Sequence, residues 1–343
     1  QRLGYRVAVW SPEADAPACS IAHETNCAPF DDPGALARFA RLVQACTVEF
    51  ENVPAALCDA LAAAGVAMRP GAALLATCQN RLREKRFIQS LGVPVAPFAP
   101  VVEASDLDAA TGLGFPLVLK TADSGYDGKG QASIRSAAEL ADTWDAWGHP
   151  PCVAEAFVAF RRELSLVAAR DVHGGVVDTG LIENRHERHV LVRSLWPAPD
   201  VAPNTESTAR GIARSVLEAT DAVGVLCVEF FELANGSLLV NELAPRPHNS
   251  GHFSIDAFAH GQFDWQVMAL AGWHLPSPRP LVAQAEMRNL LGDRWTESAS
   301  GGEPDWEAML ADMPGAVLHL YGKSHAKPGR KMGHVTLLGG PSG

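Results

Sequence analysis

The chain has 343 residues, 47% of them apolar and 20% charged, with a formal net charge of −11. Such a length suits two or three domains, and the composition supports a large core and argues against disorder. The acidic balance argues against a nucleic-acid protein, whose footprint is basic, but not against a nucleotide ligand, which needs only a local basic pocket.

No apolar run approaches the roughly 18 residues of a membrane span, and the start of the chain has no signal-peptide pattern. Seven scattered cysteines without a C-x-x-C read as reduced thiols of a cytoplasmic protein.

Residues 1–78 read as an α/β unit with a parallel sheet, because strands alternate with helices. Tyr5–Trp10 is predicted as a strand, Pro33–Cys46 as a helix opened by Asp31-Asp32, and Thr47–Phe50 as a second strand. Pro54–Ala64 is predicted as a helix ended by Gly65, and Val66–Arg69 as a third strand. Such sheets bind ligands at strand C-termini, where EFENVP (Glu49–Pro54) lies. Glu49 and Glu51 suit ribose hydroxyls or an amine, or equally a charge at the start of the next helix. The chain opens near what reads as the end of a first helix (QRLGYR), so a preceding strand and Gly-rich turn are expected before Gln1.

Leu82–Leu91 is predicted as a helix stopped by Gly92-Val93-Pro94, with Arg81, Arg83, Lys85 and Arg86 as a solvated face from which one or two reach a phosphate. Pro116–Lys120 reads as a buried strand ending in a lysine. It leads into TADSGYDGKGQ (Thr121–Gln131), which is not a Walker A loop but whose glycines let N–H groups converge on an anion. A flexible hairpin tip is the other reading. Cys152–Ala154 and Arg161–Arg170 read as strands, the latter joined to Val176–Thr179 through Gly174-Gly175. ENRHERH (Glu183–His189) is not H-E-x-x-H and is not read as a zinc site. Ser207–Val223 is predicted as an amphipathic helix ended by Gly224.

Val228–His252 is the most informative stretch. Asn235-Gly236 between two apolar runs predicts a hairpin with a type I′ turn. With Ala234 facing Ser237, Glu229 falls opposite Glu242. Facing carboxylates repel, and a divalent cation between them would turn that cost into a site; solvated surface acids are the alternative. Asn241, Arg246, His248 and Asn249 crowd the same stretch. Beyond it come a predicted helix, Asp256–Leu270, a Pro-rich link, and short strands over 281–343. There, HLYGKSHAKPGRKMGH places Lys323, Lys327, Arg330 and Lys331 within nine residues of an acidic chain. That is a phosphate-binding cue or a solvated turn.

Taken together, Lys120, GYDGKGQ, EAFV (155–158), Glu163 and the Glu229/Asn241-Glu242 hairpin resemble, in order, an ATP-grasp ligase. EFENVP, GYDGKGQ, NELAPRPHNSGH and YGKSHAKPGRKMGH resemble one branch over nearly the whole chain: N5-carboxyaminoimidazole ribonucleotide synthetase, the ATP-dependent carboxylase of 5-aminoimidazole ribonucleotide (AIR) in purine synthesis. The resemblance implies an ATP-grasp fold in three parts. These are an N-terminal α/β domain over 1–78, an ATP-grasp domain over 79–270 with a lid around 95–157, and a small β-rich domain over 271–343. It implies that bicarbonate is phosphorylated by ATP and that the carboxyphosphate, or CO₂ from it, is captured by the AIR amine.

It further implies Mg²⁺ on Glu229 and Glu242, with Asn241 beside them. ATP phosphates would lie at Arg81, Lys120 and the Gly125, Gly128, Gly130, Gln131 loop. Adenine would meet the backbone of Glu155, Ala156, Phe157 and Val158, and the remaining nucleotide contacts would be Glu163 and His186. Arg246, His248 and Asn249 would hold bicarbonate, while Tyr126, Asp127, Lys129, Lys323 and Arg330 would bind AIR. A cytoplasmic homodimer is expected on the same ground. Two features depart from the pattern: the G-x-G-Q-L-G-R turn is not seen before Gln1, and Lys129 stands where many relatives carry Arg, keeping the charge without the bidentate fork. The alternatives are another ATP-grasp carboxylate–amine ligase, such as formate-dependent glycinamide ribonucleotide transformylase, and a non-catalytic nucleotide-binding relative.

Overall fold

Asp32 shows how local chemistry sets the first elements. Its carboxylate accepts hydrogen bonds from the N–H groups of Gly34 (2.7 Å) and Ala35 (2.9 Å), capping the helix that Pro33 opens. The computed structural model describes residues 1–123, 130–296 and 302–339. Its N-terminal unit runs β1 (Ala8–Trp10), α1 (Pro17–Ile21), β2 (Glu24–Asn26), α2 (Pro33–Leu42), β3 (Ala45–Cys46), α3 (Ala55–Ala63), β4 (Ala67–Met68) and α4 (Ala72–Cys78). β1 pairs with β2, and β3 with β4, both in parallel, around Phe39, Leu57, Leu61 and Val66.

Two predicted boundaries move. The helix predicted to Cys46 ends at Leu42, because Val43 turns extended and Ala45–Cys46 becomes the strand. The strand predicted over Thr47–Phe50 is therefore loop. EFENVP thus stands entirely beyond the C-terminus of β3.

α5 (Arg81–Ser90) links this unit to a four-stranded antiparallel sheet in the order β5 (Phe98–Val101), β8 (Cys152–Ala156), β6 (Leu117–Thr121), β7 (Gln131–Ile134). α6 (Leu107–Thr111) and α7 (Ala137–Ala146) complete its core of Leu117, Leu119, Ile134, Leu140 and Trp144.

The rest builds one eight-stranded antiparallel sheet. Along the chain come β9 (Arg162–Arg170), β10 (Val176–Glu187), β11 (Val190–Trp196), α8 (Pro203–Ala219), β12 (Gly224–Glu232) and β13 (Leu238–Ala244). Then follow α9 (Ser254–Ala257), α10 (Gln262–Leu270), β14 (Ala285–Leu291), α11 (Asp293–Thr296), α12 (Trp306–Ala311), β15 (Val317–Leu320) and β16 (Lys331–Leu338). The strand order is β13-β12-β9-β10-β11-β14-β16-β15. β9 shows why the sheet is central: Leu164, Leu166 and Ala168 join the core that includes α8 residues, while Val167 and Ala169 join the core containing Phe253 and Trp265.

The remaining differences from prediction have local causes. β10 continues through ENRHERH, which lies in strand and in a turn where Arg188 and His189 both have positive φ. The helix predicted over Ser207–Val223 is displaced to Pro203–Ala219, with proline at its first turn. The helix predicted over Asp256–Leu270 is two helices. The break falls at Gly261, where a Cβ would lie 2.6 Å from the Ser254 carbonyl oxygen. The C-terminal strands extend the central sheet, β14 pairing with β11 from Ala285↔Trp196 to Arg288↔Arg193.

Candidate active site

The β12–β13 hairpin keeps the predicted pairing but reaches it differently. Asn235 does not have positive φ; among the hairpin-turn residues only Gly236 does, at +81°. The Gly236 N–H donates to Leu233 O, and the Leu233 N–H to Ser237 O, both at 2.9 Å. The turn is therefore not type I′. Pairing resumes with Glu232 opposite Leu238, one residue out of the predicted register. A bulge between Glu229 and Phe230, with Asn241 as the extra residue, then restores Glu229 opposite Glu242.

Each facing carboxylate carries a cationic partner. His248 Nε2 lies 3.0 Å from Glu229 Oε1, and Arg81 Nη1 lies 3.3 Å from Glu242 Oε2. Burial opposes the charge on Glu229, yet His248 pulls its carboxyl down to about 2. Burial would likewise lower His248, but Cys227 and Glu229 raise it to about 10. Glu84 of α5 joins the group from behind: its Oε1 accepts the Leu243 N–H at 2.7 Å, and burial and Glu242 push its carboxyl up to about 8.

His248 is backed by polar groups that the sequence reading missed. Its Nδ1 lies 2.9 Å from Ser250 Oγ, which meets Ser165 Oγ at 2.8 Å. Asn184 donates to Ser165 and accepts from Ser194 Oγ, each at 2.8 Å. The available signal was a small hydroxyl inside otherwise apolar strand sequence, as in LSLV and VRSLW. Gln262 fixes the His248 backbone from both sides, accepting its N–H (2.8 Å) and donating to its carbonyl (2.7 Å). Asn249 is held by Asn289, another residue the sequence reading missed, with Oδ1 and Nδ2 contacts of 2.6 and 3.0 Å.

A second cluster surrounds Glu155. Its carboxylate is 4% exposed and lies between Lys120 Nζ at 3.1 Å and Lys85 Nζ at 3.3 Å. Burial raises the Glu155 carboxyl, but the lysines, Lys120 first, bring it below the usual range. Lys85 was expected on a solvated face and is instead 2% exposed. β8 pairs with β5 through Glu155 and with β6 through Ala156; the Ala156 N–H donates to Pro97 O and the Phe157 N–H to Pro116 O. Phe157 is exposed, and Val158 follows it outside the strand. Glu163 and His186 are together, Oε2 to Nδ1 at 2.6 Å. Gln131 opens β7 opposite Lys120, and Gly130 precedes it at φ +66°, where a Cβ would lie 2.5 Å from Thr121 Oγ1.

A third cluster joins the N- and C-terminal parts. Glu51 grips Arg246 with both oxygens, and Glu49 is close enough to feel the charges of Arg246 and Lys323, although burial dominates and raises its carboxyl. Lys323 Nζ donates to Lys331 O at 2.8 Å, and Arg330 Nη1 to His325 O at 2.6 Å. Gly125, Tyr126, Asp127, Gly128 and Lys129 lie outside the described residues.

Comparison with known proteins shows which family the chain resembles. Residues 1–79 match the ribonucleotide synthetase preATP-grasp domain, 86–263 the ATP-grasp domain, and 285–341 the phosphoribosylaminoimidazole carboxylase C-terminal domain. The N5-carboxyaminoimidazole ribonucleotide synthase of Brucella melitensis is 41% identical over 342 residues, spanning 98% of this chain and 91% of that protein.

The chain belongs to the N5-carboxyaminoimidazole ribonucleotide synthase family.

The crystal structure of the synthetase from Thermus thermophilus superposes with a TM-score of 0.89 at 39% identity, covering 98% of this chain and 88% of that one. The Aspergillus clavatus synthase in complex with ADP and 5-aminoimidazole ribonucleotide has a TM-score of 0.83 at 28% identity, with the same coverage. In this synthase fold, the three clusters converge on the hairpin. α5 carries Arg81 and Glu84 to β13 and Lys85 to β8, while the loop after β3 carries Glu51 to Arg246.

Proposed function

We propose that this chain carboxylates the amine of AIR, using bicarbonate and ATP and releasing ADP and phosphate. The observation that carries the reading is the convergence of a paired-carboxylate hairpin, a buried lysine cluster and the Arg246–Asn249 loop. It is supported by family similarity over nearly the whole chain. We read the chain as three units: 1–78, 79–270 with its lid over 95–157, and 271–343.

ATP would lie between the lid and the hairpin, with Lys120 and Arg81 toward its phosphates and the Glu163–His186 pair toward the nucleoside. Glu229 and Glu242 would hold Mg²⁺. Among the described residues no group of three His, Cys, Asp or Glu could cage a metal, which fits an ion that takes one or two carboxylates and completes its shell with phosphate and water. Bound there, Mg²⁺ supplies charge neutralisation to the phosphates. His248 pairs with Glu229 and Arg81 with Glu242, so a cation already aligns each acid.

Bicarbonate is a poor electrophile. Its oxygen attacks the γ-phosphorus, ADP leaves, and the resulting carboxyphosphate carries a phosphate leaving group. The AIR amine then forms the C–N bond as phosphate departs and the nitrogen loses a proton. Arg246 and His248 supply the positive charge that a dianionic intermediate needs in a site closed to water. Lys323 and Arg330, with Tyr126, Asp127 and Lys129, would take the ribonucleotide. On the same resemblance we expect a cytoplasmic homodimer; among the described residues no helix is long and apolar enough to cross a membrane.

The test is ADP release by the full-length protein with each substrate omitted in turn. Release that requires both AIR and bicarbonate supports the reading. An unchanged rate without AIR, or with glycinamide ribonucleotide in its place, overturns it.

A further inference from the structure

The two acids of EFENVP sit two residues apart, and the structure separates their surroundings. Glu51 Oε2 accepts from Arg246 Nε, and Glu51 Oε1 accepts from Arg246 Nη2 at 3.1 Å. This is the bidentate fork, the strongest geometry an arginine offers a carboxylate. Arg246 Nη1 also donates to Pro247 O at 3.1 Å. Three of its five N–H groups are thereby committed, leaving two for an oxyanion.

Glu51 is itself held. Gln79 Nε2, just beyond α4, donates to the backbone carbonyls of Glu51 (2.6 Å) and Val53 (2.5 Å), clamping the loop after β3. Both side chains are about one-fifth exposed, 21% for Arg246 and 23% for Glu51, so water does little to weaken the pair. Glu49 differs. Among the described residues its carboxylate has no hydrogen-bond partner, and it is near the charges of Arg246 and Lys323.

We propose that Glu51 is a positioning residue for Arg246, not a ligand of the ribonucleotide. The N-terminal unit thereby completes the bicarbonate subsite of the ATP-grasp domain, and Glu49 is the acid left to face the second substrate. This rests on the carboxylation reading above. It divides between two residues a role that the sequence assigned to both. It also gives the N-terminal unit a part in the first half-reaction as well as in substrate binding. Without Glu51 the guanidinium is free to turn its fork toward other carboxylates nearby, including Glu49 and Glu242, both of which act on its charge.

The test varies AIR and bicarbonate separately in steady-state ADP release by full-length protein carrying Glu51→Gln or Glu49→Gln. For Glu51→Gln, the bicarbonate KM should rise about tenfold or more, as expected for loss of a charge-assisted hydrogen bond, with the AIR KM within about twofold of wild type. For Glu49→Gln, the AIR KM should rise and the bicarbonate KM should hold. Adding Glu51→Gln to Arg246→Lys should cost little further, because its route of action is already damaged; KM does not depend on the amount of folded enzyme, so a poorly folding variant still reports it. A Glu51→Gln protein with a raised AIR KM and normal bicarbonate KM overturns the proposal. So does one with both constants raised alike, one with neither changed, or full additivity with Arg246→Lys. If the wild-type protein releases ADP without AIR, the carboxylation reading itself fails, whatever the variants do.

Discussion

Replacing Lys85 by Met tests whether the cluster around Glu155 is an electrostatic unit. Lys85 and Glu155 have side chains only 2% and 4% exposed, with Nζ and Oε1 3.3 Å apart and lacking hydrogen-bond geometry. Lys120 holds the other oxygen at 3.1 Å. Removing one partner of a buried pair costs about 3–5 kcal/mol when the remaining charge is stranded. Here Lys120 stays on Glu155, so Lys85→Met should cost less, about 2 kcal/mol. Glu155→Gln strands two ammonium groups and should cost the full about 3–5 kcal/mol. The double variant leaves one lysine beside a neutral amide. Its loss should therefore fall short of the sum of the single losses by about 1–3 kcal/mol. Urea unfolding of the four proteins measures this. Strict additivity, or a Lys85→Met midpoint equal to wild type, would refute the idea that Lys85 neutralises Glu155.

Glu242→Gln keeps the shape of the hairpin and removes one of the two facing charges, on a side chain that is 37% exposed. Mg-ATP turnover should fall by about 100-fold or more, with little change in the thermal midpoint; near-normal turnover would sink the metal role. His334 provides a pH test. It is stacked on His319 at 4.5 Å, its Nδ1 lies 2.9 Å from Tyr321 Oη, and burial and then His319 push its imidazole down to about 3. A depressed histidine resists protonation in the folded state. This residue's contribution should therefore be flat above about pH 7 and turn unfavourable as pH falls from about 6.5 toward 3, by roughly 1.4 kcal/mol at pH 5.5. A His334→Gln variant should lose that increment in a pH series of unfolding midpoints; identical pH profiles for the two proteins would contradict it.

Much of the site was legible because charged residues stand out against apolar strands. The Glu229–Glu242 pairing was predicted from an Asn-Gly turn that the chain does not form as expected. Two departures, a longer turn and a bulge at Asn241, cancel and leave the acids facing. A period-2 argument cannot see such compensation, since each slip moves every side chain to the other face. Lys85 was missed for another reason. Sequence shows its charge but not the partner, and Glu155 lies seventy residues away. The Ser165–Asn184–Ser194–Ser250 chain behind His248 is drawn from three strands and a loop, so no local pattern announces it. The break in the predicted Asp256–Leu270 helix depends on the close approach of Gly261 to the Ser254 carbonyl, which is a tertiary contact.

The central claim is that bicarbonate is activated by phosphorylation at the hairpin and then joined to AIR. Turnover with bicarbonate labelled in all oxygens by ¹⁸O tests it most directly, with the released phosphate analysed by mass spectrometry. The account predicts one ¹⁸O in each phosphate formed, carried from bicarbonate through carboxyphosphate. Phosphate with no label, formed at the same rate as ADP, would show that water and not bicarbonate attacks the γ-phosphorus, and would contradict the account.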